Sequence, residues 1–262
     1  MASRTEPSAN IERAFVAGLP IVRAGLSEAA DLVLADAASG RPRVYVLVNA
    51  HSSKLRRDSA DYARMLADTD ACVGLPDGVS VTIAARLLGR GNIGRSPGPD
   101  LIETVCSRAA KTGTPVFLLG GSEGVADQLA AGLIERHPGL EVAGTATPPF
   151  GEWPTSESEA LVESVKSSGA RVLWMGVSAP KQEIWAYEHA LALGMPSVCV
   201  GAAFDFNTMQ KVRAPRWMRR YGLEWVHRLA TEPRRMWKRY LFGNAMFVGD
   251  VLRFGRRPAN RP

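Results

Sequence analysis

The chain has 262 residues, 46% apolar and 22% charged, which excludes a disordered or collagen-like protein and fits one large domain, or one domain with an appendage. Its cysteines (Cys72, Cys106 and Cys199) are odd in number and widely spaced, so a disulfide framework is excluded and buried thiols in a reducing compartment are expected. The net charge of +6 is uneven: residues 211–262 hold 14 Lys/Arg against 3 Asp/Glu, and the residues before them 18 against 23. A mildly acidic body thus carries a strongly basic tail, which suggests a polyanionic partner: membrane, nucleic acid or phosphorylated ligand.

The opening "MASRTEPSANIERA" has no apolar signal-peptide core, and no run of about 18 apolar residues occurs, so a cytoplasmic location is expected. Residues 1–42 are assigned to an N-terminal extension with a first helical segment. The body, residues 43–210, reads as alternating strands and helices. "RVYVLVNA" (Arg43 to Ala50) is short and β-branched, hence a buried strand. A helix-compatible stretch from about Ser53 to Ala67 leads to a second strand, "ACVGL". Pro76-Asp77-Gly78 is then a turn: Pro pre-sets φ, Asp tolerates tight turns and Gly takes positive φ without steric cost.

After the turn, Val79 to Leu88 is apolar and helical in character. "DLIETVCSRAAKTG" opens on Asp100, a suitable N-cap, and stops at Gly113. "TPVFLLGG" is a strand ending in a glycine turn, and the next helix buries Val125, Leu129 and Leu133 on one stripe. "LEVAGT" is a strand, "TPPFGEWPTSE" a Pro-rich loop, Ser158 to Ser168 a helix and "RVLWMGV" a strand. The helix from Pro180 to Leu193 follows, and "PSVCVGAAFDF" is read as the last strand. Such alternation predicts an α/β, Rossmann-like parallel sheet with helices on both faces and a basic helical C-terminal appendage.

In that fold, ligands gather at the carboxyl ends of the strands. "NAHSS", "LPDG", "LLGGSEG", "GVSAPKQE" and "GAAFDF" are therefore expected on one rim. The glycine loop with Gly120, Gly121 and Gly124 can turn backbone N–H groups and a helix N-terminus to a phosphate, and a plain strand-to-helix turn explains it equally well. It is not a P-loop. No His/Cys spacing suits zinc, and "DTD" (Asp68 to Asp70) precedes a strand instead of ending one, so no metal site is assigned.

"LPDGVSVTIAARLLG", "RSPGPDL", "VFLLGGSEGVAD", "MGVSAPKQEIWA", "GAAFDFNTMQKVRAPRWMRRYGLEWVHRL" and "EPRRMWKRYLFGN" occur in this order. Together they resemble the WecG/TagA/CpsF family of bacterial glycosyltransferases, from about Val44 to Asn244. The resemblance implies transfer of a sugar (of N-acetylmannosamine type, a uronic acid or a hexose) from a UDP-sugar to a polyprenyl-diphosphate-linked acceptor. The transfer would invert the anomeric centre, need no metal or other cofactor, and take place on the cytoplasmic face of the membrane in making cell-surface polysaccharide. It also implies that Asp77 is the general base that takes a proton from the acceptor hydroxyl, a role compatible with turn formation.

Asn49 matches a substrate-contacting Asn of the family, although Leu47 stands where a Thr is usual. His51 is a further polar candidate on that loop, and a structural hydrogen bond is the other reading. Arg95 suits a diphosphate through its fixed donor fork. Gln182 matches a family residue near the nucleotide sugar. Glu183 beside it also suits a first helical turn, and Asp205, read as closing the last strand, is placed to accept from uracil or ribose. In the tail (residues 211–262), Arg213, Arg216, Arg219, Arg220, Arg228 and Arg235 alternate with aromatics and are the candidates for diphosphate or anionic headgroup contact. Other readings are a nicotinamide-dependent oxidoreductase, supported by the glycine turn alone, and a nucleic-acid-binding protein, supported by the tail alone. No nucleic acid is the partner expected.

Overall fold

The structure is a computed structural model that describes residues 11–208 and 213–255, without the side chains of residues 235, 236, 238 and 239. The chain opens with an antiparallel hairpin, β1 (Arg13–Val16) and β2 (Leu19–Val22), followed by α1 (Leu26–Ser39). Ala17 and Gly18 both have positive φ, the geometry of a tight hairpin turn whose twist matches the flanking strands. Helix α1 ends at Gly40, at φ 65°.

The body then runs β3 (Val44–Val48), α2 (Ala50–Asp58), α3 (Ala60–Ala67), β4 (Cys72–Pro76), α4 (Val79–Leu87), α5 (Gly98–Thr112), β5 (Val116–Gly120) and α6 (Val125–Arg136). It continues with β6 (Val142–Ala146), α7 (Thr155–Ser167), β7 (Val172–Gly176), α8 (Lys181–Glu188), α9 (Ala190–Leu193), β8 (Ser197–Cys199) and α10 (Ala203–Asn207). The strands form one parallel sheet in the order β4-β3-β8-β7-β5-β6. Alternation decides which face each side chain takes. Val44, Val46, Val48, Phe117, Leu119, Leu173 and Met175 belong to the core on one face, and Tyr45, Val73, Leu118, Val172, Trp174 and Val198 to the core on the other. This is the α/β, Rossmann-like architecture that strand–helix alternation predicts.

Several expected boundaries differ. The single helix over Ser53 to Ala67 is two, broken at Ser59, whose Oγ accepts from the Tyr62 N–H at 3.2 Å and restarts the helix. Helix α5 starts at Gly98 with Pro97 at its cap, so Asp100 lies in the first turn. The Pro180–Leu193 helix is interrupted at His189. The last strand stops at Cys199, and Gly201, at φ 55°, turns the chain into α10. Asp205 is therefore a helical residue rather than the end of a strand.

The tail forms α11 (Arg216–Arg220), α12 (Glu224–Thr231) and α13 (Pro233–Phe254). Helix α13 packs on α2, with Phe247 4% and Asp250 1% exposed. The Asp250 carboxylate accepts from Arg56 Nη2 at 3.3 Å and from Arg57, while Arg56 Nη1 donates to the Gly18 carbonyl at 2.6 Å. One buried carboxylate thus ties tail, α2 and hairpin together. Burial holds the Arg56 guanidinium below its usual pKa, and Asp250 works against that.

Asp250→Ala should destabilise the protein by about 1–3 kcal/mol, below the ~3–5 kcal/mol of a fully buried pair because solvent reaches Arg57. Urea unfolding would show it as a lower midpoint, and an unchanged midpoint would mean that solvent satisfies both arginines.

Candidate active site

The carboxyl ends of β4, β3, β8 and β7 surround a cavity of about 330 Å³. Its centre is built by register. Val48 of β3 lies opposite Pro76 of β4, so Asn49 and Asp77 emerge side by side. The Asp77 and Gly78 N–H groups both donate to the Val48 carbonyl, at 3.0 and 3.4 Å. Gly78 allows this approach, since a Cβ there would stand 2.9 Å from Asn49 Cβ.

Asn49 caps α2. Its Oδ1 accepts from the His51 N–H at 3.0 Å, and its own N–H donates to Ser52 Oγ at 3.1 Å. With Oδ1 directed to the helix, Nδ2 is free to donate to Asp77 Oδ2 at 3.3 Å. Arg95 lines the cavity and donates from Nε to the Asp77 backbone carbonyl at 3.0 Å. The neighbouring Ser96 N–H donates to the Pro76 carbonyl at 2.7 Å, holding that loop over β4.

Asp77 is largely buried in the cavity wall, and the protein packed around it withholds bulk water. This desolvation raises its carboxyl pKa above the ordinary carboxylate value. Arg95 and the Asn49 hydrogen bond oppose the rise, Glu224 adds to it and Arg228 opposes it. A raised pKa makes the ionised carboxylate a better proton acceptor.

The floor is a clamp. Gln182 Oε1 accepts from the Val177 N–H after β7 and the Gly201 N–H after β8, both at 3.2 Å. Gln182 Nε2 donates to Glu183 Oε1 at 2.8 Å, and these two residues are 3% and 4% exposed. Both line the cavity, but the Gln182 carbonyl serves to hold two loops together.

The tail supplies the roof. Gly222, Glu224, Trp225 and Arg228 from the start of α12 and the turn before it, with Tyr240 and Asn244 from α13, line the same cavity. Trp225 meets Tyr240 edge-to-face at 5.9 Å, and the Arg228 guanidinium lies 5.3 Å over the Phe206 ring.

The structure brings Asp77, Asn49, His51, Arg95, Gln182, Glu183 and Arg228 to one cavity. The other candidates lie elsewhere. Gly120, at φ 133°, presses on Gly176, where a Cβ would come within 2.6 Å of the Gly176 backbone. The Gly121 N–H donates to the Gly176 carbonyl at 3.0 Å. These glycines let β5 and β7 pack closely and do not line the cavity, and neither does Asp205. Arg213 donates to Asp100 Oδ2 at 2.8 Å, and Arg219 lies 3.7 Å from the other carboxylate oxygen. Arg216 and Arg220 are exposed, and the side chain of Arg235 lies outside the described residues. Asp68 of the acidic triplet accepts from the Ala71 N–H at 3.1 Å and the Tyr187 hydroxyl at 2.8 Å, closing α3. Among the described residues, no three His, Cys, Asp or Glu side chains are grouped to hold a metal ion.

Glu224 and Asn244 are cavity residues that sequence reasoning passed over. The available signal was the spacing in "LEWVHRL", where Glu224 and Arg228 are four apart and share a helix face. The cysteines are free and buried as expected, and burial pushes the Cys72 thiol up to about 12.

Comparison with known families fits this arrangement: the sequence model of the glycosyl transferase WecG/TagA/CpsF family matches residues 14–261. The chain belongs to this family. The match begins in β1, well before the Val44 at which the motif resemblance starts, so hairpin and first helix are part of the family's common body. Members are glycosyltransferases for cell-surface polysaccharides. The roof residues lie inside the matched region too.

A buried carboxylate with a raised pKa destabilises the fold once ionised. The native state holds the Asp77 proton more tightly than the unfolded chain does, so stability falls as pH rises from the ordinary carboxylate value through the raised one. Asp77→Asn, which keeps the turn and an acceptor for Asn49 Nδ2, should therefore raise Tm at neutral pH. The gain should vanish toward acid. Calorimetry over a pH series would show it, and a pH-independent difference would point to a packing effect instead.

Proposed function

We propose that the protein transfers a sugar from a UDP-sugar to a hydroxyl of a polyprenyl-diphosphate-linked acceptor, with inversion and with Asp77 as general base. The observation that carries this reading is the cavity composition: the desolvated Asp77 carboxylate accompanied by guanidinium groups from body and tail, Arg95 and Arg228. The acceptor oxygen attacks the anomeric carbon as Asp77 takes its proton. The carbon–oxygen bond to the diphosphate breaks with its electron pair, and UDP departs. Arg95 and Arg228 offset the charge that develops on the diphosphate. Gln182 and Glu183 shape the floor on which the donor rests.

A lipid-linked acceptor places the reaction at a membrane surface. No described helix is long and apolar enough to cross a bilayer. The tail does expose Trp217, Tyr221, Trp237, Leu241, Val248 and Leu252, with Arg216 and Arg220 on α11 also exposed. Aromatic and aliphatic groups beside cations suit the interface of an anionic bilayer, where each nearby basic residue contributes about 1 kcal/mol.

Asp77→Asn should lose turnover on the order of 10²–10⁴-fold while remaining folded. Product mass, read from lipid-linked acceptor and a panel of UDP-sugars, would measure it; activity within a few-fold of wild type would leave Asp77 a turn residue. Turnover should survive chelation, since the arginines neutralise the leaving group; restoration by Mg²⁺ or Mn²⁺ after chelation would sink that part. UDP, rather than NAD or an oligonucleotide, should raise Tm. Trp217→Ser with Leu252→Ser should weaken sedimentation with anionic liposomes, and salt should weaken wild-type binding as the Debye length falls from ~10 Å at 0.1 M to ~3 Å at 1 M.

A further inference from the structure

The tail brings a third carboxylate to the cavity, after Asp77 and Glu183 of the body. Glu224, in the first turn of α12, lines the same space as Asp77, and its side chain is 18% exposed. Arg213 Nε lies 3.7 Å from Glu224 Oε1, and Arg213 Nη2 donates to Asp100 Oδ2 at 2.8 Å. Asp100 stands in the first turn of α5, whose opening residues Gly98 and Pro99 also line the cavity. A carboxylate–guanidinium–carboxylate row therefore runs from the body into the roof. Arg213, a candidate for substrate phosphate from its sequence context, is engaged on both sides by protein carboxylates.

We propose that Glu224 is a positioning residue for Asp77, held at the cavity by the Asp100–Arg213 bridge. The proposal rests on Asp77 being the base. Asp77 faces Asn49 from the cap of α2, Arg95 from the loop before α5, and Glu224 and Arg228 from α12. His51 also lines the cavity. The two guanidinium groups needed by the diphosphate would, acting alone, leave Asp77 ionised but a poor proton acceptor. Burial raises the affinity of Asp77 for a proton, and an anion on the same cavity wall adds to it. Arg213 matters because Glu224 and Arg228 are four apart on one helix and attract each other. By drawing the Glu224 charge toward α5, Arg213 leaves Arg228 to the diphosphate.

Glu224→Gln tests this. Removing the anion lowers the Asp77 pKa, so the acidic limb of kcat/KM should move to lower pH, and kcat should fall on the order of ten-fold, short of the 10²–10⁴-fold loss of a missing base. Glu224→Asp keeps the charge and should restore the limb. Arg213→Gln should move it in the same direction, and the double variant should be no worse than Glu224→Gln alone. The Asp77 carboxyl signal in ¹³C-labelled protein, identified by its loss in Asp77→Asn, should titrate at lower pH in Glu224→Gln. A raised donor KM with limb and titration unmoved would make Glu224 a substrate contact; a lowered Tm with both unmoved would make it structural; either overturns the proposal. If the wild type turned over no UDP-sugar, the proposed function would fail, and the carboxyl titration would still decide the role of Glu224.

Discussion

A carboxylate drawn away from water has to be given hydrogen-bonding and charged neighbours, and Asp77 is where the body faces that constraint. The parallel pairing of β3 with β4 meets it. Because Val48 stands opposite Pro76, one carbonyl receives the N–H groups of both Asp77 and Gly78, and Asn49 is brought to the Asp77 side chain. A slip of one residue would send alternate side chains to the other face and break the whole set together. The register is itself protected: Gly74, in the middle of β4, allows the Pro20 carbonyl of the hairpin so close that a Cβ would lie 2.2 Å away. A side chain at position 74 would push the hairpin off β4.

The remaining elements keep this arrangement closed without crowding it. Gln182 fixes the loops after β7 and β8 to each other, so the floor does not depend on substrate for its shape. Asp250 holds α13 to α2, the helix that Asn49 caps. Mechanical support for the roof and the hydrogen bond to Asp77 consequently pass through the same helix. Positive charge reaches the cavity from two separate parts of the chain, Arg95 from the body and Arg228 from α12.

The sheet was readable in the sequence because its strands are short, β-branched and bounded by turn residues, and Asp77 was readable because a Pro-Asp-Gly turn follows one of them. Where the structure differs from the expectation or adds a partner to it, the cause is physical. "PSVCVGAAFDF" is apolar almost throughout, and an apolar run does not reveal whether it is strand or helix; the positive φ of Gly201 decides that, and it places Asp205 in α10. Gly120 and Gly121 satisfy the pattern of a phosphate loop and of close strand packing alike, and only the contact with Gly176 separates the two. Arg213 and Arg219 looked like phosphate ligands because their partner, Asp100, lies more than a hundred residues earlier in the chain. Spacing reveals neighbours on one element; partners brought together by the fold leave no such trace. The two jobs of Asn49, capping a helix and holding a carboxylate, are equally invisible before β3 and β4 are paired.

Closing the cavity with the tail has a consequence for where the chemistry can proceed. Trp225, which lines the cavity, is 40% exposed, and Trp217, Tyr221 and Trp237 on the neighbouring turns are exposed more than that. Helix α13, which completes the site together with α12, also leaves Trp237, Leu241, Phe242, Val248 and Leu252 exposed. Any interface that covers this surface favours the conformation in which the roof is held over Asp77, by as much as it binds that conformation more tightly than a looser one. Under the proposed function, a bilayer carrying the acceptor would be such an interface. Under that proposal, location and activity would be two readings of one equilibrium, with the Asp250 anchor setting how far the roof is held by the body alone.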